Sequence, residues 1–130
     1  MNNVPQELDW VNVRSNCSTV EMFKQLRAAC EGDVAEINAK RNNVVSFRLT
    51  LNSSGTMFIV SEEGSLTREV KFYLGEEFIK VVRPGMEDVR LVPTLNNEGR
   101  CKLSNNQAEL EQWQVRRMAL EDLFFGPYER

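Results

Sequence analysis

The chain has 130 residues, a mass of 15.0 kDa, 42% hydrophobic and 27% charged residues, and a formal net charge of −3 at neutral pH. That length suits one domain, which buries about two-thirds of its unfolded surface without help from a metal. The composition excludes a disordered polar chain. There is no histidine, which removes Ser-His-Asp and Cys-His catalysis, imidazole bases and imidazole metal ligands.

Sixteen basic residues face 19 acidic ones, so a broad nucleic-acid surface is not expected, although a local basic patch is allowed. No stretch approaches the roughly 20 apolar residues that span a bilayer. Met1-Asn2-Asn3-Val4-Pro5 has neither a basic region nor an apolar run, so no signal peptide is expected. Cys17, Cys30 and Cys101 form no CxxC pair. Their odd number suits reduced thiols in a cytoplasmic protein better than a disulfide framework. Asn16-Cys17-Ser18 and Asn52-Ser53-Ser54 match glycosylation triplets and read as chance matches.

In chain order, residues 1–17 read as an arm or a short edge strand carrying Leu8, Trp10, Val11 and Val13. A helix is predicted over 18–41. Ser18 and Glu21 have capping-box spacing, with Cys17 and Met22 placed as a hydrophobic staple. Met22, Phe23, Leu26, Cys30, Val34 and Ile37 line one helical face. Gly32 marks a possible kink, and Asn42-Asn43 closes the segment.

After Asn43 the rhythm changes to two. Val45, Phe47, Leu49 and Leu51 alternate with polar residues. Met57-Phe58-Ile59-Val60 is apolar on both faces. Val70, Phe72 and Leu74 alternate again, and Phe78 to Val82 makes the next run. Val89, Leu91 and Leu95 follow, with Pro93 placing that strand at an edge or a bulge. Cys101 and Leu103 make a short last strand. Gly55, Gly64, Gly75, Gly85 and Gly99 fall between the runs, leaving room for hairpins and none for crossover helices. The expectation is a five- or six-stranded antiparallel meander over 44–103.

A second helix is predicted over 106–125, with Asn106 and Glu109 as an approximate capping box and Gly126-Pro127 as its stop. Leu110, Trp113, Met118, Leu120, Leu123 and Phe124 make it amphipathic. The fold class is therefore α+β, one domain, with two helices covering one face of the sheet.

Arg117 is the most unusual residue. On a helical wheel it falls within the stripe of Leu110, Trp113, Leu120 and Phe124, one turn before Glu121. A buried charge demands a partner. Arg117 is thus either an anion-binding or partner-binding group facing a pocket, or a side chain that snorkels or pairs with Glu121. Trp113, Arg117 and Glu121 are the candidate ligand-binding residues. Glu62-Glu63, Glu76-Glu77 and Glu87-Asp88 fall in hairpin turns and read as solvated, not as a metal or catalytic set. Cys30 and Cys101 read as core residues. A nucleophilic Cys17 would need a cation or helix N-terminus beside it, and its staple position explains it equally well. No GxGxxG, GxxxxGK[ST] or GxSxG motif is present. The terminus Leu123-Phe124-Phe125-Gly126-Pro127-Tyr128 either folds back on the core or meets a second copy, which makes Phe124, Phe125 and Tyr128 interface candidates.

The order of elements resembles the helix-grip arrangement of START-like ligand binders, in which a curved sheet wraps a long C-terminal helix. That resemblance implies a small apolar or anionic ligand between sheet and helix. The small acidic helix-flanked sheet also looks like type III secretion chaperones, whose mid-sheet helix is replaced here by strand over Gly75 to Pro84. The leading expectation is a non-enzymatic protein-interaction module, a homodimer or a subunit binding another protein. It has no cofactor, no metal, no nucleic acid and no membrane as partner. A ligand binder is second. An enzyme using carboxylates, Tyr73 or Cys17 is third.

Overall fold

The computed structural model describes residues 7–41 and 45–126. Two helices, α1 (Trp10–Asn16) and α2 (Thr19–Lys40), precede seven strands: β1 (Phe47–Leu51), β2 (Met57–Glu62), β3 (Glu69–Leu74), β4 (Ile79–Val82), β5 (Val89–Leu95), β6 (Cys101–Ser104) and β7 (Glu109–Leu110). A last helix, α3 (Gln112–Phe125), closes the fold. Each strand pairs with the next in antiparallel fashion, so the sheet is one meander in chain order. The α+β architecture stands as expected, with seven strands in place of five or six.

Helix α2 follows its sequence signals closely. Ser18 is the N-cap, and its hydroxyl accepts the Glu21 N–H at 3.1 Å. Met22, Phe23, Leu26, Cys30, Val34 and Ile37 are its buried residues. Gly32 produces no break: the helix runs through it, with open space where a side chain would start. Asn42 and Asn43 lie outside the described residues.

The strands alternate. Phe58, Val60, Val70, Phe72, Ile79, Val81, Leu91 and Leu103 are buried against the helices. The residues between them form an opposite face that carries no helix among the described residues. Phe58 stacks on Phe72 with centroids 4.4 Å apart and meets Phe23 of α2 at 5.3 Å. These rings and aliphatics fill the space between sheet and helices.

Pro93 sits in β5, which is internal to the sheet, not at its edge. The resolution lies in the register. Strand β4 pairs with β5 only at Val89–Leu91, and β6 pairs with Val92–Leu95. Pro93 therefore lies where one flank of β5 is unpaired, and a missing N–H costs the ladder nothing there. Gly55, Gly64, Gly85 and Gly99 take φ between 70° and 87°, the left-handed turns the hairpin spacing called for.

Four local expectations are corrected. Residues Trp10–Asn16 form a helix, not a strand: Asp9 caps it by accepting the Asn12 N–H at 3.3 Å. Glu109 and Leu110 form β7 on Leu103 and Ser104, so the final helix starts later than 106. Asn105 Oδ1 accepts the N–H groups of Gln107 and Ala108 at 2.7 and 2.8 Å, building a turn in place of the expected helix start. The working capping box is Glu111 with Gln114, whose Oε1 accepts the Glu111 N–H at 2.8 Å.

The thiols also differ from expectation. Cys17 and Cys101 are joined in a disulfide across 84 residues, with Cα atoms 5.5 Å apart. The bridge ties the α1–α2 junction to the start of β6. It replaces the expectation of reduced thiols and takes Cys101 out of the plain core set. Cys30 stays free and buried, and burial pushes its thiol up to about 12, so it is chemically quiet. Lastly, Gly126 ends α3 in an extended conformation (φ −67°), not a left-handed one, with its N–H on the Asp122 carbonyl at 2.8 Å.

Candidate functional site

Two long-range contacts define how α2 and α3 lie. Arg116 Nη1 meets Asp33 Oδ1 at 2.7 Å, and Arg41 Nη1 donates to the Phe124 carbonyl at 2.7 Å. Both join residues 83 apart in sequence. The helices therefore run side by side in the same direction, with Ile37 level with Leu120. Their outer surfaces leave a groove of about 460 Å³. Its floor is Ile37, Leu120 and the edge of Phe124, and its charged rim comes from both helices. Trp113 and Phe125 stand at its ends, 53% and 64% exposed. They lie twelve positions apart on α3, or about 18 Å at helical rise.

The groove gathers most of the candidate residues. Trp113, Arg117, Glu121, Phe124 and Phe125 all line it. Tyr128 lies outside the described residues. The place differs from the sequence expectation: this groove is on the solvent side of the two helices, whereas a helix-grip pocket lies between sheet and helix. Phe124 is 6% exposed, with its ring on Phe47 at 4.8 Å between centroids. It belongs mainly to the core.

Arg117 does not occupy a buried position. Its side chain is 65% exposed and forms the expected intrahelical pair with Glu121 at 3.1 Å. The buried stripe of α3 is Val115, Ala119, Leu120, Leu123 and Phe124. Arg116 points into that stripe, and its partner is Asp33 on the neighbouring helix. The arginine of the buried stripe is therefore Arg116, one position before the residue the helical wheel points to, because Trp113 is exposed and shifts the apparent stripe.

The C-terminal turn of α3 carries no basic residue of its own. Its carbonyls are met by arginines from elsewhere. Arg68, from the β2–β3 turn, donates to the Leu123 carbonyl at 2.7 Å while its Nε holds Glu62 at 2.5 Å. Arg41 takes the Phe124 carbonyl and lies over the Phe125 ring at 5.8 Å. Cations at a helix C-terminus offset its unsatisfied carbonyls and dipole. This brace fixes the Phe125 end of the groove. At the other end of α3, a hydrogen bond from Lys102 holds the Glu111 carboxyl below the usual carboxylate range.

Of the acidic turn pairs, Glu62 is the one drawn into structure, and the rest stay at turns. Glu62-Glu63 and Glu87-Asp88 lie at one end of the sheet and Glu76-Glu77 at the other. Among the described residues no three His, Cys, Asp or Glu side chains converge as a metal set, and no helix is long and apolar enough to cross a membrane. No family model matches the chain, and no curated protein or solved structure matches it either.

Proposed function

We propose that this protein is a non-enzymatic interaction module that self-associates through the α2–α3 groove. The observation that carries the reading is the groove's charge order. Along α2 it runs acid, acid, base (Asp33, Glu36, Lys40); along α3 it runs base, base, acid (Arg116, Arg117, Glu121). In parallel helices this makes a checkerboard. A second copy turned end over end about an axis that crosses α3 at Ala119 and runs obliquely to pass midway between Glu36 and Lys40 on α2 sets Glu36 opposite Lys40 and Arg117 opposite Glu121, with Trp113 near Phe125. Such an isologous contact is the commonest form of assembly, and exposed aromatics at its ends supply the apolar anchors.

Sedimentation velocity of the wild type and of a Trp113→Glu/Phe125→Glu variant tests this. Both residues are exposed, so the variant keeps its core. A dimer in the wild type that dissociates in the variant supports the reading; a wild type that stays monomeric into the millimolar range refutes it. The ligand-binding alternative draws support from the groove's volume, which lies within the range of small-molecule sites. A bound apolar molecule in native mass spectra would favour it.

The expected cytoplasmic placement now competes with the Cys17–Cys101 bridge, since disulfides persist in oxidising compartments. Thiol titration of protein taken directly from its host distinguishes the two.

A further inference from the structure

The uncovered face of the sheet carries a charge pattern of its own. Strand alternation sends Arg48, Lys71, Lys80, Arg90 and Lys102 to this face, because Phe47, Val70, Phe72, Ile79, Val81, Leu91 and Leu103 beside them point into the core. Only Glu69 and Glu109 bring acid to it within the strands. Among the described residues, the strands therefore bring five basic and two acidic side chains to this face, and Glu111 joins it beside Lys102. An acidic protein has concentrated positive charge on one side.

The register shows a sharper feature. Lys80 on β4 and Arg90 on β5 are direct cross-strand partners. Like charges placed opposite each other destabilise a sheet. Lys71 has Glu69 at 3.4 Å and Lys102 has Glu111, but Arg48, Lys80 and Arg90 have no acidic partner among the described residues. The fold gives the opposed pair aromatic faces only: Lys80 lies 5.0 Å from the Tyr73 centroid and Arg90 4.6 Å from that of Phe78. Around them stand Met57, Ile59, Val82 and Val92, half-buried or exposed.

We propose that this face docks an acidic protein segment that also carries apolar side chains. A second copy cannot seat this same face against it, because two faces of this sign repel. Lys80 and Arg90 lie over the Tyr73 and Phe78 rings and the other apolar side chains here are aliphatic, so the face offers nucleic-acid bases a poor stacking platform, whereas an acidic segment with leucines or phenylalanines covers both cations and aliphatics. The site is separate from the helical groove, so it stands or falls independently of self-association.

The test is fluorescence anisotropy with three probes at low and high salt: a labelled peptide of Glu and Leu, polyglutamate of equal length, and single-stranded oligothymidylate. Expected are binding of the Glu/Leu peptide at least about tenfold tighter than of either other probe, weakening with salt, and a loss of about tenfold or more in Lys80→Glu/Arg90→Glu. Lys80→Gln/Arg90→Gln, which removes the charges without inverting them, should bind at an intermediate level. Circular dichroism and thermal melts confirm that both variants fold. Trp113→Glu/Phe125→Glu should bind as the wild type does. Tighter binding of oligothymidylate, no binding of the Glu/Leu peptide at low salt, or equal binding by the double charge reversal would each overturn the proposal.

Discussion

Strand β3 shows the contrast between the two faces of the sheet within six residues. Val70 and Phe72 are buried beneath the helices, while Glu69, Lys71 and Tyr73 look outward. The inner face obtains its stability from close packing, the outer face carries charge that packing does not need. The same strands thus serve two physical purposes, and a substitution should be judged by the face it lands on before its chemistry is considered.

The strongest way to break that comparison is Phe58→Ala. Phe58 is fully buried and contacts two other rings, so urea unfolding should show a loss of about 3–5 kcal/mol. Ile59→Ala, the next residue on the other face, should cost about 1 kcal/mol or less. Equal losses would mean that the outer face is also packed. Replacing Cys17 and Cys101 together with Ser should cost roughly 2–5 kcal/mol in the same assay, because the bridge closes a long loop in the unfolded chain. Reductant should lower the wild type to the level of this variant and leave the variant unmoved.

Within the helical layer, Asp33→Ala and Arg117→Met sharpen the distinction between an arginine in the buried stripe and one at the surface. Asp33→Ala strands Arg116, whose Nε already has no hydrogen-bond partner, and should cost about 1–2 kcal/mol. Arg117→Met should stay within about 0.5 kcal/mol. The smallest effect concerns Glu111. Its folded pKa is lowered, first by the hydrogen bond from Lys102, so its stabilising contribution is present above the ordinary carboxylate value of 4.5 and is lost as pH falls through the lowered folded value. Between neutral and strongly acidic pH, the wild type should therefore lose slightly more stability than Glu111→Gln in parallel urea titrations.

Where a signal was local and repeated, it could be read from the chain. The six residues of the α2 stripe and the alternation in β1 and β3 each recur at the period that their element imposes. What escaped was either too short or not local. Strand β7 has two residues, too few for any period. Helix α1 spans seven and buries none of them, so it leaves no stripe. The Cys17–Cys101 pairing joins distant segments, and nothing in either neighbourhood announces the other. The arginines that brace α3 come from a loop and from the end of another helix, so no reading of α3 alone finds them. The candidate residues at the C-terminal helix were found because unpaired aromatics and charges on an amphipathic helix stand out; their geometry, a groove facing solvent, depended on how two helices lie side by side.

Self-association through that groove is tested most directly by charge swapping. Sedimentation equilibrium would compare the wild type with Lys40→Glu and with Glu36→Lys/Lys40→Glu. Expected is a wild-type dimer that Lys40→Glu weakens by about tenfold or more and that the double swap restores, because each copy again meets the opposite sign. A dimer indifferent to Lys40→Glu, or not rescued by the double swap, would contradict the end-over-end arrangement.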